Sequence, residues 1–258
     1  MEINQLMIIP DCSQLEASLA VANKYHCGFE YQDFFLPDLL EKEEECEKLL
    51  QLYENCGACN KSTFHGVFFD IVVFSDDPRI RSVSNARVEQ SLSQAARLGA
   101  KGCVFHTNYT PNFLLQSYRK NWVSRNAAFW REKLKAYPQM EIYLENMFDV
   151  DWILLEQLAK EMSDEPRFGV CLDYAHAHAF GRSEEIEQWV AALSPYVKHI
   201  HINDNDLASD LHLTIGEGKI DWEEFARLYQ KYLSNASVLV ELRGFDKIEK
   251  SLEVLRRL

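Results

Sequence analysis

Short apolar runs recur along the chain, and each is separated from the next by an amphipathic stretch of helical length. Runs of about four to eight alternating or continuously apolar residues are typical of strands, whereas apolar positions at helical spacing indicate helices. The pattern predicts eight strands, which lie at Gln5–Ile9, Gly28–Tyr31, Lys61–Phe69, Gly102–His106, Glu141–Glu145, Phe168–Asp173, Lys198–Ile202 and Val238–Arg243.

The stretches between the predicted strands carry ordinary helix end signals. We predict one helix over Ser13–Tyr25, with Ser13 as its N-cap, and another over Asp38–Cys56. Gly99 is expected to end a later helix, because glycine readily adopts the left-handed conformation that often follows a helix. Asp221 is expected to cap the helix that precedes the last strand. Strands and helices are therefore predicted to alternate along the whole chain.

The alternation of eight strands with helices in 258 residues matches the size and rhythm of an α/β (β/α)8 barrel, the TIM-barrel architecture. No linker, low-complexity tract or repeat interrupts the sequence. We therefore predict a single (β/α)8 TIM-barrel domain over residues 1–258. Ligands of such barrels bind where the strands end and the loops to the next helices begin.

The composition is acidic, with a formal net charge of −13 at pH 7, which repels phosphate backbones and anionic membranes. No signal-peptide pattern opens the sequence, and no apolar run approaches the roughly twenty residues that span a bilayer. The seven cysteines are scattered, as expected in a reducing compartment, so a cytoplasmic location is expected. Cys56 and Cys59 have the spacing of a redox pair, but a glycine-containing helix end is the preferred interpretation.

Polar residues occupy the inward-facing positions at the ends of the predicted strands. Alternate strand residues point the same way, so Glu141, Tyr143 and Glu145 are expected to face the barrel axis while Ile142 and Leu144 face the helices. A single buried histidine or glutamate is usually a satisfied core residue. Here the same reasoning places a whole set at one barrel mouth, namely Glu30, His65, His106, Glu145, Asp173, His201 and Glu241, with His176 one turn beyond Asp173.

Carboxylates cannot crowd together in this way without a cation or protons to offset their repulsion. Mixed carboxylate and imidazole donors suit Mn²⁺, Mg²⁺, Co²⁺ or Zn²⁺. The loop after Ile202 adds Asp210 and His212, which can face one way across a single residue, and a Gly216-Glu217-Gly218 turn. The sequence therefore predicts a divalent metal at the mouth of the barrel.

Four stretches of the chain resemble the xylose-isomerase-like TIM-barrel superfamily of sugar isomerases, sugar epimerases and endonuclease IV. They are YLENM (143–147), GVCLDYAHAHAFG (169–181), HINDNDLASDLHLTIGEGKIDW (201–222) and LVELR (239–243). The resemblance runs over nearly the whole chain and is strongest from Glu145 onward. It implies a metal-dependent enzyme on a TIM barrel.

The ketose 3-epimerase branch of this superfamily implies one set of roles. By resemblance, Glu145, Asp173, His201 and Glu241 hold one divalent metal, which is Mn²⁺, Mg²⁺, Co²⁺ or Zn²⁺. Glu145 and Glu241 are then also the catalytic bases on opposite faces of a metal-bound enediolate, and His176 contacts the sugar. The arginine that these epimerases carry after the histidine of strand seven has no counterpart in NDNDLASD.

The endonuclease IV branch implies a wider set with up to three zinc ions. The chain offers a residue at every such position, namely His65, His106, Glu145, Asp173, His176, His201, Asp210, His212 and Glu241. The expected mouth loops are rich in aspartate and poor in basic residues, which argues against duplex DNA as a partner. A zinc phosphodiesterase that acts on DNA is therefore the alternative.

We predict an isomerase or epimerase that acts on a sugar, a sugar acid or a sugar phosphate. Glu30 and Arg243 are assigned to substrate binding, and His65, His106, His176, Asp210 and His212 to additional metal or substrate contacts. A related lyase or dehydratase, and a barrel that binds ligand without turnover, are further alternatives. The expected partner is a small sugar and not nucleic acid or membrane, and the sequence leaves room for a homo-oligomer.

Overall fold

The computed structural model describes residues 3–56 and 62–258, in which eight parallel strands close into a barrel. Each strand pairs with the next along the chain, and the last pairs with the first. This confirms the predicted (β/α)8 fold. The strands are β1 Leu6–Ile8, β2 Gly28–Tyr31, β3 Ser62–His65, β4 Gly102–His106, β5 Glu141–Glu145, β6 Phe168–Asp173, β7 Val197–Ile202 and β8 Ser237–Val240.

Helices connect the strands on the outside of the barrel. They are α1 Leu15–Tyr25, α2 Pro37–Leu40, α3 Glu43–Asn55, α4 Pro78–Arg97, α5 Gln116–Ala136, α6 Ile153–Glu161, α7 Tyr174–Ala179, α8 Ile186–Leu193, α9 Trp222–Leu228 and α10 Phe245–Arg257. Short 3-10 turns at Cys12–Gln14 and Ser183–Glu185 precede α1 and α8, and a π-helical turn at Tyr229–Leu233 continues α9.

The structure corrects two of the predicted helix boundaries. The single helix expected over Asp38–Cys56 is divided into α2 and α3, with a break after Leu40. Ser13 does not cap α1, because it lies inside the preceding 3-10 turn and its backbone N–H donates to the side chain of Asp11. The side chain of Asp221 does cap α9, and Gly99 follows α4 with a φ of 68°, as predicted.

The predicted strands agree with the structure most closely in the middle of the chain. The boundaries of β2, β4, β5 and β6 were predicted residue for residue. Strand β3 is shorter than expected and ends at His65, and β8 ends at Val240, so Glu241 is the first residue beyond its strand. Lys61 and most of the Cys56–Cys59 motif lie outside the described residues.

The strands separate an apolar layer from a partly polar barrel interior. Outward residues such as Ile142 and Leu144 are fully buried against the helices. The interior contains an apolar group of Val104, Tyr143 and Cys171, together with residues that carry polar side chains. Gly102 makes room for this packing, since a Cβ there would collide with the Tyr143 ring. Many of the polar residues of the interior lie at the carboxyl ends of the strands, where they form the candidate site.

None of the helices in the described residues is both long enough and apolar enough to cross a lipid bilayer.

Candidate metal centre

Glu145, the last residue of β5, is a buried carboxylate surrounded by histidines. Its Oε2 atom lies 3.4 Å from Nε2 of His65 and 3.4 Å from Nε2 of His106. Its Oε1 atom lies 3.3 Å from Nδ1 of His201 and 3.5 Å from Nδ1 of His176. The four histidines come from β3, β4, β7 and α7, so the barrel itself brings them together.

Four of the predicted residues form what we call the four-residue cluster, namely Glu145, Asp173, His201 and Glu241. One donor atom from each lies within 4.8 Å of the others. Within the described residues, Oε2 of Glu145, Oδ2 of Asp173, Nδ1 of His201 and Oε2 of Glu241 are buried and have no hydrogen-bond partner. Buried polar atoms without partners are costly, so these residues fit a divalent cation that would satisfy all four.

Hydrogen bonds from neighbouring residues orient the side chain of Asp173 towards the cluster. Asp173 ends β6 and caps α7, and its Oδ1 accepts a hydrogen bond of 2.6 Å from the backbone N–H of His176. The side chain of Asn146 accepts from the backbone N–H of Asp173 and donates to its carbonyl oxygen, each at 2.9 Å. Since one carboxylate oxygen caps the helix, the other is left for the cluster.

Protons and neighbouring charges offset the carboxylates of the site. Burial alone would raise the pKa of the Glu145 carboxyl, but His201 and His106 hold it well below its ordinary value. Burial raises the pKa of Asp173 to about 7. Burial lowers the pKa of His176, yet Asp173 and Asp210 outweigh that effect and raise it to about 10. Cation binding to these residues would therefore release protons.

Further groups of donors adjoin the four-residue cluster, and two of them bear on the function. His65 and His106 share Glu145 with the four-residue cluster, and we call these three residues the β3–β4 cluster. His176, Asp210 and His212 form the loop cluster. Asp210 lies between the two histidines, with Oδ2 3.4 Å from Nε2 of His176 and Oδ1 3.2 Å from Nε2 of His212. Nine predicted residues thus lie in three contiguous groups.

The loop that carries Asp210 and His212 is organised by a different aspartate. Asp204 is fully buried, and its two side-chain oxygens accept hydrogen bonds from four donors: the backbone N–H groups of Asn205, Gly216 and Ile220, and Nε1 of Trp222. Gly218 packs directly on this carboxylate, where a Cβ would overlap Oδ1. Asp204 is therefore saturated by the chain itself, and its role is to hold the loop.

A cavity of about 270 Å³ opens above the clusters. Its lining residues are Gln32, Phe35, His65, Phe68, Phe69, His106, Glu145, Met147, His176, Asp210, His212, Glu241 and Arg243. Arg243, predicted to bind substrate, is half exposed at the rim, with Nη1 3.6 Å from Oδ1 of Asp33. Glu30, predicted to do the same, is fully buried and not among the lining residues.

The sequence interpretation missed two polar residues at this site, Gln32 and Asn146. The side chain of Gln32 donates a 2.9 Å hydrogen bond to Oε1 of Glu241. Gln32 lies two residues beyond Glu30, so the alternation that identified Glu30 could also have identified it. Asn146 follows Glu145 directly and was hidden, because a residue adjacent to an inward-facing one is expected to point outward.

A closed parallel barrel with carboxylate and imidazole side chains at its mouth defines a class of TIM-barrel proteins with a candidate metal centre. The sequence profile described as "Xylose isomerase-like TIM barrel" matches residues 22–258. The chain therefore belongs to the xylose isomerase-like TIM-barrel family, as the sequence motifs predicted.

Two of the curated relatives illustrate the similarity, and each matches more than half of the chain. The uncharacterized protein MJ1311 of Methanocaldococcus jannaschii is 24% identical over 200 residues, which cover 74% of this chain and 68% of MJ1311. A probable endonuclease 4 of Mycobacterium leprae is 28% identical over 166 residues, which cover 59% of this chain and 62% of the relative.

Solved structures share the fold over nearly the full length. The TTHB071 protein of Thermus thermophilus, from a crystal soaked with ZnCl2, has a TM-score of 0.77 and 23% identity, with 100% of this chain and 97% of that one covered. A D-tagatose 3-epimerase-like protein has a TM-score of 0.75 and 20% identity, with 97% and 96% covered. Endonuclease IV of Thermus thermophilus has a TM-score of 0.66 and 17% identity, with 98% and 97% covered. These proteins therefore share the barrel fold of this chain.

Proposed function

We propose that this chain is a divalent-metal-dependent isomerase or epimerase of a small sugar, sugar acid or sugar phosphate. The observation that carries the proposal is the four-residue cluster, in which four donor atoms lie within 4.8 Å of one another and two members, Glu145 and Glu241, line a small cavity. Glu145, Asp173, His201 and Glu241 would hold the cation. When bound, such a cation polarises a carbonyl group and stabilises negative charge on adjacent oxygens.

In this proposal Glu145 and Glu241 also move the proton. Glu145 ends β5, Glu241 follows β8, and both carboxylates line the cavity in which a substrate would lie. One carboxylate would remove the proton next to the carbonyl group, and the other would return it. His176 and His212 line the same cavity and would bind substrate hydroxyl groups.

The size and surroundings of the cavity favour a small substrate. A volume of about 270 Å³ admits a molecule of sugar size. Exposed apolar side chains, including those of Leu36, Phe69, Phe148 and Leu211, lie in the loops that follow the strands. Together with a net charge of −13, these loops disfavour a duplex phosphate backbone.

Hydrogen exchange tests the proposed reaction. The metal-loaded protein is incubated with a panel of ketoses, sugar acids and sugar phosphates in deuterated water, and deuterium at the carbon beside the carbonyl group is measured by mass spectrometry. Exchange with one of them is expected, and Glu241→Gln should abolish it while leaving the fold intact. The absence of exchange with any substrate by a protein that binds metal would contradict the proposal.

A second candidate function is a multinuclear metal phosphodiesterase. The observation that favours it is the contact of the β3–β4 cluster and the loop cluster with the four-residue cluster, which gives three contiguous donor groups. The relatives that are named endonuclease 4 point the same way. Multinuclear metal sites suit phosphoryl transfer because neighbouring cations can stabilise both the attacking and the leaving oxygen.

The number of bound metal ions distinguishes the two candidates. Elemental analysis after dialysis should give one ion per chain for the isomerase and three for the phosphodiesterase. An abasic duplex and a small phosphodiester at low salt provide the matching activity test. Nicking of the duplex together with three bound ions would replace the first proposal by the second.

A further inference from the structure

Strand β2 contributes no residue to the four-residue cluster, yet two side chains at its end contact two members of that cluster. Glu30 and Gln32 lie two residues apart and therefore point to the same side of the backbone. We propose that they are positioning residues, which hold His201 and Glu241 with their free donor atoms turned towards the cation. This inference rests on the metal centre of the proposed function.

Glu30 is fixed by residues from two other strands. Its Oε2 atom accepts a 2.7 Å hydrogen bond from the Thr63 hydroxyl of β3 and lies 3.0 Å from Nε2 of His199 in β7. Its Oε1 atom lies 3.2 Å from Nε2 of His201 and accepts a 3.1 Å hydrogen bond from the side-chain amide of Gln32. Both oxygens are thus occupied, and the carboxylate is held in one orientation.

Glu30 and the four-residue cluster contact opposite nitrogens of the His201 ring. Nδ1 of His201 faces the cluster, 3.3 Å from Oε1 of Glu145 and 3.6 Å from Oε2 of Glu241. The other ring nitrogen, Nε2, lies 3.2 Å from Oε1 of Glu30. A carboxylate in contact with Nε2 would hold the ring with Nδ1 turned towards a metal ion. Glu30 would therefore set the ring orientation of His201.

Gln32 would orient the carboxylate of Glu241, just as Glu30 would orient the ring of His201. Its single Nε2 atom donates to Oε1 of Glu30 at 3.1 Å and to Oε1 of Glu241 at 2.9 Å. Within the described residues, Oε2 of Glu241 has no hydrogen-bond partner. One oxygen of Glu241 is thus held by the amide, and the other is left for the cation. The Gln32 amide thus connects Glu241 with Glu30, the residue that contacts His201.

The cost of burying Glu30 argues that it does more than fill space. The side chain has no exposed surface, and a buried charge is rarely more stabilising than an apolar group of equal size. His199, its partner in β7, is itself held by a 2.6 Å contact between Nδ1 and the Ser237 hydroxyl of β8. Strands β2, β3, β7 and β8 thus cooperate to place one carboxylate behind a cluster histidine.

Metal binding by the intact protein tests the inference. Asp173→Asn first identifies the Co²⁺ equivalent that belongs to the four-residue cluster, because Asp173 is a member of no other cluster. The affinity and the absorption spectrum of that equivalent are then measured for Glu30→Gln and Gln32→Leu. Glu30→Gln should lower the affinity by about 10- to 100-fold and shift the Co²⁺ bands, and Gln32→Leu should lower it by about tenfold.

Matched controls remove the same groups elsewhere in the molecule. Glu141→Gln changes a glutamate at the opposite end of the barrel, and Gln94→Leu changes a glutamine of α4 that contacts Cys46. Both should bind Co²⁺ within about twofold of the wild-type affinity, with an unchanged spectrum.

Four outcomes would overturn the inference. Wild-type affinity and spectrum in a folded Glu30→Gln variant would exclude Glu30 as a positioning residue. If Glu30→Gln does not fold, Gln32→Leu decides the matter, and wild-type binding by that variant rejects the proposed pair. If the wild-type protein binds no Co²⁺ or Zn²⁺, the proposed function fails as well. Metal binding by the wild type with no effect of either variant refutes the positioning role alone.

Discussion

Two glutamates of the same strand, Glu141 and Glu145, lie at opposite ends of β5 and have opposite surroundings. Glu141 is paired with two lysines, at 3.2 Å from Lys101 and 3.1 Å from Lys198, and it accepts a hydrogen bond from the Tyr143 hydroxyl. These ammonium groups hold the pKa of Glu141 below its ordinary value even though burial acts in the opposite direction. This end of the barrel is therefore neutralised by the chain itself.

Glu145 has only histidines as its cationic neighbours in the described residues. An imidazolium can lose its proton and become a metal ligand, whereas a lysine ammonium remains a fixed charge near neutral pH. The mouth of the barrel is thus balanced by protons that a divalent cation can displace. The kind of counter-charge, and not the carboxylate itself, therefore separates a structural ion pair from a candidate metal site.

The largest effect should come from removing the charge of Glu145. Glu145→Gln is expected to lower the proposed turnover at least about a thousandfold, since Glu145 belongs to two clusters and is a proposed base. Bound metal per chain should fall in parallel, while circular dichroism reports an intact barrel. A variant that keeps its metal and its turnover would remove Glu145 from the site.

A smaller effect is expected at the loop cluster. If one cation is bound at the four-residue cluster, Asp210→Asn should keep that ion and raise KM by about tenfold, because Asp210 contacts two histidines that line the cavity. Metal counting and steady-state kinetics check this. The loss of a complete metal equivalent would instead favour the phosphodiesterase.

The stability of the metal-free protein should depend on pH in a specific direction. Although burial acts in the opposite direction, aspartates raise the pKa of His176 to about 10, and Asp210 raises that of His212 to about 9, from 6.5. The folded chain thus binds these protons more tightly than the unfolded chain does. Their stabilisation is complete below about pH 6.5 and is lost as the pH rises through 9 to 10.

Thermal unfolding of the metal-free protein at a series of pH values tests this dependence. The midpoint should fall between pH 6.5 and 10, and saturating Zn²⁺ should oppose the fall, because a cation replaces the displaced protons. Asp210→Asn provides the control, since it removes a partner of both histidines and should flatten the curve. A midpoint that rises over this range would contradict the assigned ion pairs.

The smallest effect is expected at the other end of β5. Glu141→Gln should lower the free energy of unfolding by about 1 kcal/mol or less, because its lysine partners are partly exposed. Metal content should not change. Denaturant titration and metal analysis measure the two quantities, and a loss of metal here would break the contrast between the two glutamates.

Much of the fold was predictable because barrel strands carry a local signal. Apolar runs and alternation identified the eight strands, and the same alternation brought Glu145, Asp173 and His201 to one face. The break after Leu40 was not predictable, because the helical pattern continues across it. The roles of neighbouring polar residues were also hidden, since sequence spacing does not show which side chains from distant strands will meet.

Asp204 illustrates this limit most clearly. The sequence groups it with the other acidic residues of its loop, Asp206 and Asp210, and nothing in its spacing sets it apart. Only the folded chain reveals that four donors surround it, while Asp210 faces two histidines. Hydrogen-bond saturation depends on tertiary structure, so it separates two aspartates that look equivalent in the sequence.

The hydrogen bonds of Asp204 also make its loop a closed unit that could be replaced without changing the barrel strands. The Asp204 carboxylate accepts hydrogen bonds from the backbone N–H groups of Gly216 and Ile220. The segment from Asp204 to Gly216 therefore begins and ends at the same place. Both Asp210 and His212 lie inside that closed segment. Exchange of that one segment would therefore remove Asp210 and His212 while leaving His176 in α7, whereas Glu145 is part of barrel strand β5 and cannot be exchanged separately from the barrel.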